Sequence, residues 1–129
     1  MKIYGTIATA VSLFAWSAHA DTYIRVVPTG GKLEIGRYAT MNPDCSSVGY
    51  ATLRVTNAPQ HGTVTTYKGK SFPYVPANHP LHDCGMRKMD MMLADYTPER
   101  GYTGTDYFTI NAIFANGSER TDDYQITVK

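Results

Sequence analysis

His79, His82, Met86, Met89, Met91 and Met92 crowd one short stretch of the chain. Imidazole and thioether groups together suit copper, so this is the segment whose residue types point to a metal. Packing competes with that chemistry. Met89, Met91 and Leu93 would share one face of an extended strand, and Met92, Ala94 and Tyr96 the other, so core filling accounts for most of the methionines. His79 and His82 flank Pro80, and loop histidines are commonly just solvated. His79, His82 and Met86 are left as the metal candidates, with copper the ion they would take.

Catalytic constellations are harder to build. Ser46 or Ser71 could be grouped with His61 and Asp106, but no G-x-S-x-G elbow supports a nucleophile. Asp122 and Asp123 are adjacent and point to opposite faces of a strand, while Asp95 and Glu99 flank a turn; neither pair has the convergence that acid/base work needs. Gly30-Gly31 lacks the flanking pattern of a phosphate loop. The expectation is therefore no enzyme, no catalytic residue and no cofactor site.

The compartment follows from residues 1–20. Lys2 precedes a largely apolar stretch from Ile3 to Trp16, and Ala18-His19-Ala20 follows, which is the order of a secretory signal with a small-residue cleavage site. Interrupted by Gly5, Thr6, Thr9 and Ser12, the segment is short of the roughly 20 apolar residues that span a bilayer. Asp21, not cysteine, follows the expected cut, so a soluble exported domain over residues 21–129 is predicted, periplasmic or secreted. No later segment is apolar enough to cross a membrane. The chain carries 12 Lys and Arg against 11 Asp and Glu. Lys2 leaves with the leader, so the mature domain is formally neutral and lacks a basic footprint for nucleic acid.

Cys45 and Cys84 are the only cysteines, and export takes them into an oxidising compartment, so a disulfide between them is expected. Their separation fits neither a CxxC redox motif nor a clustered zinc site.

These residues must be positioned by strands. β-branched and aromatic residues recur in short alternating runs divided by Gly, Pro and Asn, and helical periodicity is nowhere sustained. Strands are expected near Thr22–Val27, Lys32–Tyr38, Tyr50–Thr56, Gly62–Tyr67, Ser71–Val75, Met89–Tyr96, Thr105–Phe114 and Arg120–Val128. Phe108, Ile110, Ala112 and Phe114 share one face of their run, as Tyr124, Ile126 and Val128 do of the next. With Asn116-Gly117 between them, the two runs predict an antiparallel hairpin. Gly30-Gly31 is a similar turn candidate. Residues 76–88, with two prolines and a glycine, predict a long loop stapled by Cys84, and long loops are where binding tends to reside.

Two motifs carry a family resemblance. Asn57-Ala58-Pro59-Gln60-His61-Gly62-Thr63-Val64 resembles the P-x-H-G-T-V segment of bacterial immunoglobulin-like and cadherin-like modules. The stretch Asp95 to Phe108, through Tyr96, Pro98, Gly101, Gly104 and Asp106, is similar to their Y-T-P-x-x-G-[FY]-x-G-x-D-x-F segment. With the final hairpin the likeness covers residues 57–129. It implies an all-β, immunoglobulin-like antiparallel β-sandwich of seven or eight strands. Within it, Pro98 would end the strand at Tyr96, Gly101 and Gly104 would permit a sharp crossing, and Asp106 would accept amides of that crossing, with Tyr102 and Phe108 as plugs. Pro59, His61 and Gly62 would be turn residues. The tandem copies and acidic calcium linkers of such modules are missing, so calcium is not implied.

The leading expectation is a non-catalytic extracytoplasmic binding or interaction module, for a protein or another cell-envelope ligand. Tyr38, Tyr50, Tyr67 and Tyr107 offer contact area, with ordinary sheet packing as their competing role. The alternatives are a copper-binding protein using residues 79–92, and an envelope assembly component exchanging edge strands. A monomer or weak self-association is expected.

Overall fold

The computed structural model describes residues 20–129, so the expected leader lies outside the described residues but for its last position. Among the described residues seven strands form: β1 (Ala20–Val27), β2 (Leu33–Tyr38), β3 (Thr52–Asn57), β4 (Gly62–Ser71), β5 (Met89–Pro98), β6 (Gly104–Ile113) and β7 (Glu119–Val128). They make a four-stranded sheet in the order β1-β7-β6-β3 and a three-stranded sheet in the order β2-β5-β4. Lettered A to G, the sheets read A-G-F-C and B-E-D, the immunoglobulin-type sandwich with its first strand on the C-F-G sheet. Every pairing is antiparallel except β1 with β7, which is parallel.

Period-two alternation drives the fold. Phe108, Ile110 and Ala112 of β6 and Tyr124, Ile126 and Val128 of β7 are all buried, and their neighbours face outward. Tyr96, Phe108, Tyr124 and Tyr23 then stack through the core with ring centroids 5.7, 4.8 and 5.3 Å apart in turn. Tyrosine brings a hydroxyl that needs a partner when buried. Tyr38 and Tyr124 solve this by bonding each other at 2.8 Å. Burial, before any neighbouring charge, pushes the Tyr124 phenol up to about 12 and that of Tyr38 higher still.

β5 is buried on both faces. Ala94 and Tyr96, with half-buried Met92, belong to the core between the sheets, whereas Met89, Met91 and Leu93 form a second apolar cluster on the outer face, against Ala39 and Met41.

Three expectations need correction. Ser71–Val75 is not a strand: β4 itself runs on to Ser71, and Pro73, which has no N–H to donate, stops the ladder there. The side chains still alternate, with Pro73 and Val75 buried and Phe72 and Tyr74 exposed, which explains the strand-like pattern. Pro98 does not follow the end of its strand but is the last residue in it, paired with Gly62. The Gly30-Gly31 segment does turn, with Gly30 at φ 74° and the Gly31 amide donating to the Pro28 carbonyl, but it carries the chain between sheets instead of making a hairpin.

The registers sort the connections to two ends of the sandwich. Residues 39–51, 72–88 and 114–118 lie at one end; residues 28–32, 58–61 and 99–103 lie at the other.

Candidate functional site

The two motifs meet at the second end, and what they build is a lock. The Asp106 carboxylate accepts the backbone amides of Gln60 and His61 at 3.0 Å each, its neighbour Tyr107 amide at 3.0 Å, and the Tyr96 hydroxyl at 2.7 Å. The amides it captures outside its own strand therefore belong to the β3–β4 turn, not to the crossing between β5 and β6 as expected. A buried carboxylate needs this many donors to offset its lost hydration. Gly62 is required because a Cβ there would lie 2.5 Å from the Tyr96 ring. Gly104 sits at φ 137°, where a Cβ would meet the Tyr102 hydroxyl at 2.7 Å. His61 stacks on Tyr102 at 4.1 Å, and its carbonyl accepts the Glu99 amide. Asp106 has its capacity filled by structure, and Ser46 and Ser71 lie at the opposite end of the sandwich, so the candidate Ser-His-Asp grouping is not assembled.

Loops of a different character gather at the first end. Cys45 and Cys84 are joined in a disulfide, tying segment 39–51 to segment 72–88. Each side of the bond is braced locally. Asp44 accepts the Ser46 amide and hydroxyl, and those hydrogen bonds hold its carboxyl below the usual range. Cys45 itself adopts φ 70°, a left-handed conformation that costs a residue with a Cβ about 1 kcal/mol. Cys84 is buried in a short 3₁₀ turn, His82–Met86. Arg37 of β2 donates to the Phe72 carbonyl at 3.1 Å, fastening the start of the long segment to the opposite edge of its sheet.

The candidate metal residues are distributed by this scaffold. The His82 ring bonds the Val75 carbonyl at 2.9 Å, and His79 Nδ1 accepts the Leu81 amide at 3.0 Å. Met89 and Met91 are in the outer apolar cluster, whereas Met86 is 81% exposed. Among the described residues no group of three or more His, Cys, Asp or Glu side chains is placed to share a metal.

What the loops do present is apolar surface. Tyr74 is 88% exposed and Phe72 42%, on the same segment as Met86, with the Lys88 ammonium 5.7 Å from the Phe72 ring. Tyr50, also exposed, lies under Lys68 at 4.6 Å. Of the four tyrosines expected to offer contact area, Tyr38 is instead core, and Tyr50, Tyr67 and Tyr107 are accessible. Phe72 and Tyr74 were hidden from sequence reasoning by the strand-like alternation around Pro73.

A second feature missed in the sequence is an ion pair at the same end. Asp122 is fully buried and receives Arg120 Nε at 2.9 and 3.1 Å, and the guanidinium lies over Tyr38 and Phe114. Burial works against the Arg120 charge, but the hydrogen bond and field of Asp122 outweigh it and hold the guanidinium above its ordinary value. The signal existed: Asp122 is in phase with Tyr124, Ile126 and Val128. No protein-family model matches the chain, and no curated protein matches it.

Proposed function

We propose that the chain is an exported, non-catalytic interaction module of the bacterial immunoglobulin-like type, which contacts a protein partner through its disulfide-braced loop end. The observation that carries this is the exposure of Phe72, Tyr74 and Met86 on a segment otherwise anchored by Cys84, Arg37 and buried Pro73 and Val75. Apolar side chains held in water on a rigid support are ready to bury without much loss of entropy. Tyr, Phe and Met, with Arg87 beside them, are also residue types that suit protein interfaces.

Export is supported on two counts. A disulfide is compatible with an oxidising compartment. Cleavage after Ala20 would leave Asp21 to Val27 paired with Asp122 to Val128, so the cut is compatible with an intact β1–β7 ladder. Lys68 and Lys70 on the edge strand β4 disfavour strand addition there, which weighs for interaction through loops over assembly by strand exchange.

Affinity capture from a cell-envelope extract tests this, comparing the native protein with a Tyr74→Ser, Met86→Ser variant. Both positions are too exposed for the changes to disturb folding. A protein retained by the native chain and lost by the variant is expected. Retention of the same proteins by both, or of none, contradicts the proposal.

A further inference from the structure

A shallow cavity of about 270 Å³ opens on the outer face of the four-stranded sheet, and none of Phe72, Tyr74 and Met86 lines it. Its walls include Thr22 of β1, Asp123 and Gln125 of β7, Tyr107 and Thr109 of β6, and Asn57 of β3. Register explains the gathering. Thr22, Asp123, Thr109 and Asn57 occupy one row across the four strands, and Gln125 and Tyr107 pair in an adjacent row. Asn57 joins only because the register of β3 shifts between Val55 and Asn57, which brings it opposite Thr109.

The chemistry of this lining is specific. Thr109 donates its hydroxyl to Asp123 Oδ1 at 2.7 Å, which orients the carboxylate and leaves Oδ2 to accept from another donor. Among the described residues, no Lys, Arg or His forms a salt bridge with Asp123. The uncompensated charge repels anionic ligands, including nucleotides and phosphates. An apolar ligand would strip water from several polar groups without replacing their hydrogen bonds. One carboxylate with no group of three or more His, Cys, Asp or Glu side chains around it, among the described residues, is a poor cation site.

A neutral polyhydroxylated ring meets every requirement. Its hydroxyls donate to Asp123 and to the amide oxygens of Asn57 and Gln125, and accept from their amide nitrogens and from Thr22. Its C–H face can lie on the Tyr107 ring, which is 57% exposed. The volume is just under the range of about 300–1,000 Å³ usual for small-ligand sites, and the cavity is open, which suits one residue of a longer chain. We infer that this cavity binds a sugar residue of a neutral saccharide. The inference goes beyond the loop-end proposal and is independent of it.

Amide chemical shifts of isotope-labelled protein provide the test, with cellobiose, maltose, lactose and diacetylchitobiose each titrated to the limit of solubility. Glucuronate and tetramethylammonium serve as charged comparisons. At least one neutral disaccharide should shift the amides of Tyr107, Thr109, Asp123 and Gln125 saturably. Tyr107→Ala should weaken that binding by about three- to tenfold, the equivalent of one lost aromatic stacking contact. Asp123→Asn, which keeps the shape, should also weaken it, and spectra unchanged elsewhere will show that both variants fold. Saturation by tetramethylammonium or glucuronate alone, indifference to Tyr107→Ala, or no saturable shift with any of the four disaccharides overturns the inference. Saccharide shifts confined to Tyr74 and Met86 would overturn it while leaving the loop-end proposal standing.

Discussion

Tyr96 donates its hydroxyl to the Asp106 carboxylate at 2.7 Å, with both residues at most 2% exposed. The bond joins β5 to β6 across the two sheets, and through Asp106 it also secures the β3–β4 turn. Asp106→Ala would orphan the amides of Gln60 and His61 and take from the Tyr96 hydroxyl its shorter acceptor, and should cost about 3–5 kcal/mol. Tyr96→Phe removes one donor only and should cost about 1–2 kcal/mol. Chemical denaturation of the two single variants and the double variant should show strong coupling, because without Asp106 the Tyr96 hydroxyl keeps only its longer contact, 3.4 Å, with the His61 carbonyl.

The disulfide yields a separate pair of expectations. Closing a loop with a sequence separation of 39 should contribute about 4 kcal/mol through the unfolded chain, read as the difference between oxidised and reduced protein in urea. Cys45 sits at φ 70°, so in a Cys84→Ser background Cys45→Gly should be more stable than Cys45→Ser by about 1 kcal/mol. Equal stabilities would mean the turn relaxes once the bond is absent.

The core tyrosines set the alkaline limit. Tyr124 rises from 10.0 to about 12, and Tyr38 and Tyr96 shift in the same direction, chiefly through burial. A phenol that holds its proton more tightly when folded stabilises fully below pH 10, and that stabilisation drains away as the pH climbs through the folded value. Stability should therefore be flat below pH 10 on account of these groups and fall above it. Tyrosinate absorbance from them should appear together with unfolding, not before it.

Arg120 and Asp122 differ in exposure, and that decides how they respond to substitution. Asp122 is fully buried, whereas the Arg120 side chain is 37% exposed. Arg120→Met strands the buried carboxylate and should cost about 3 kcal/mol. Adding Asp122→Leu removes the stranded charge, so the double variant should recover much of that loss in thermal denaturation.

How much of this could be read in the residues depends on how local the cause is. The last hairpin was legible because Phe108, Ile110, Tyr124 and Ile126 alternate without interruption around Asn116-Gly117. Both faces of β5 were legible for the same reason, since Met91 and Met92 lie on opposite sides of one strand. The disulfide followed from there being only two cysteines. Partners distant in sequence were not legible. Asp106 reaches Gln60 and His61 through a β3–β4 turn that only the folded sandwich brings near, and the segment after Ser71 alternates like a strand although Pro73 denies it a ladder. The outer-face cavity depends on a register shift in β3, which no local pattern announces.

A photo-crosslinking residue placed at position 74 in cells, with one at the exposed position 100 at the opposite end for comparison, tests the loop-end surface most directly. A discrete protein adduct from position 74 and none from position 100 is the predicted result. Equal adducts from both positions, or none from position 74, would contradict it.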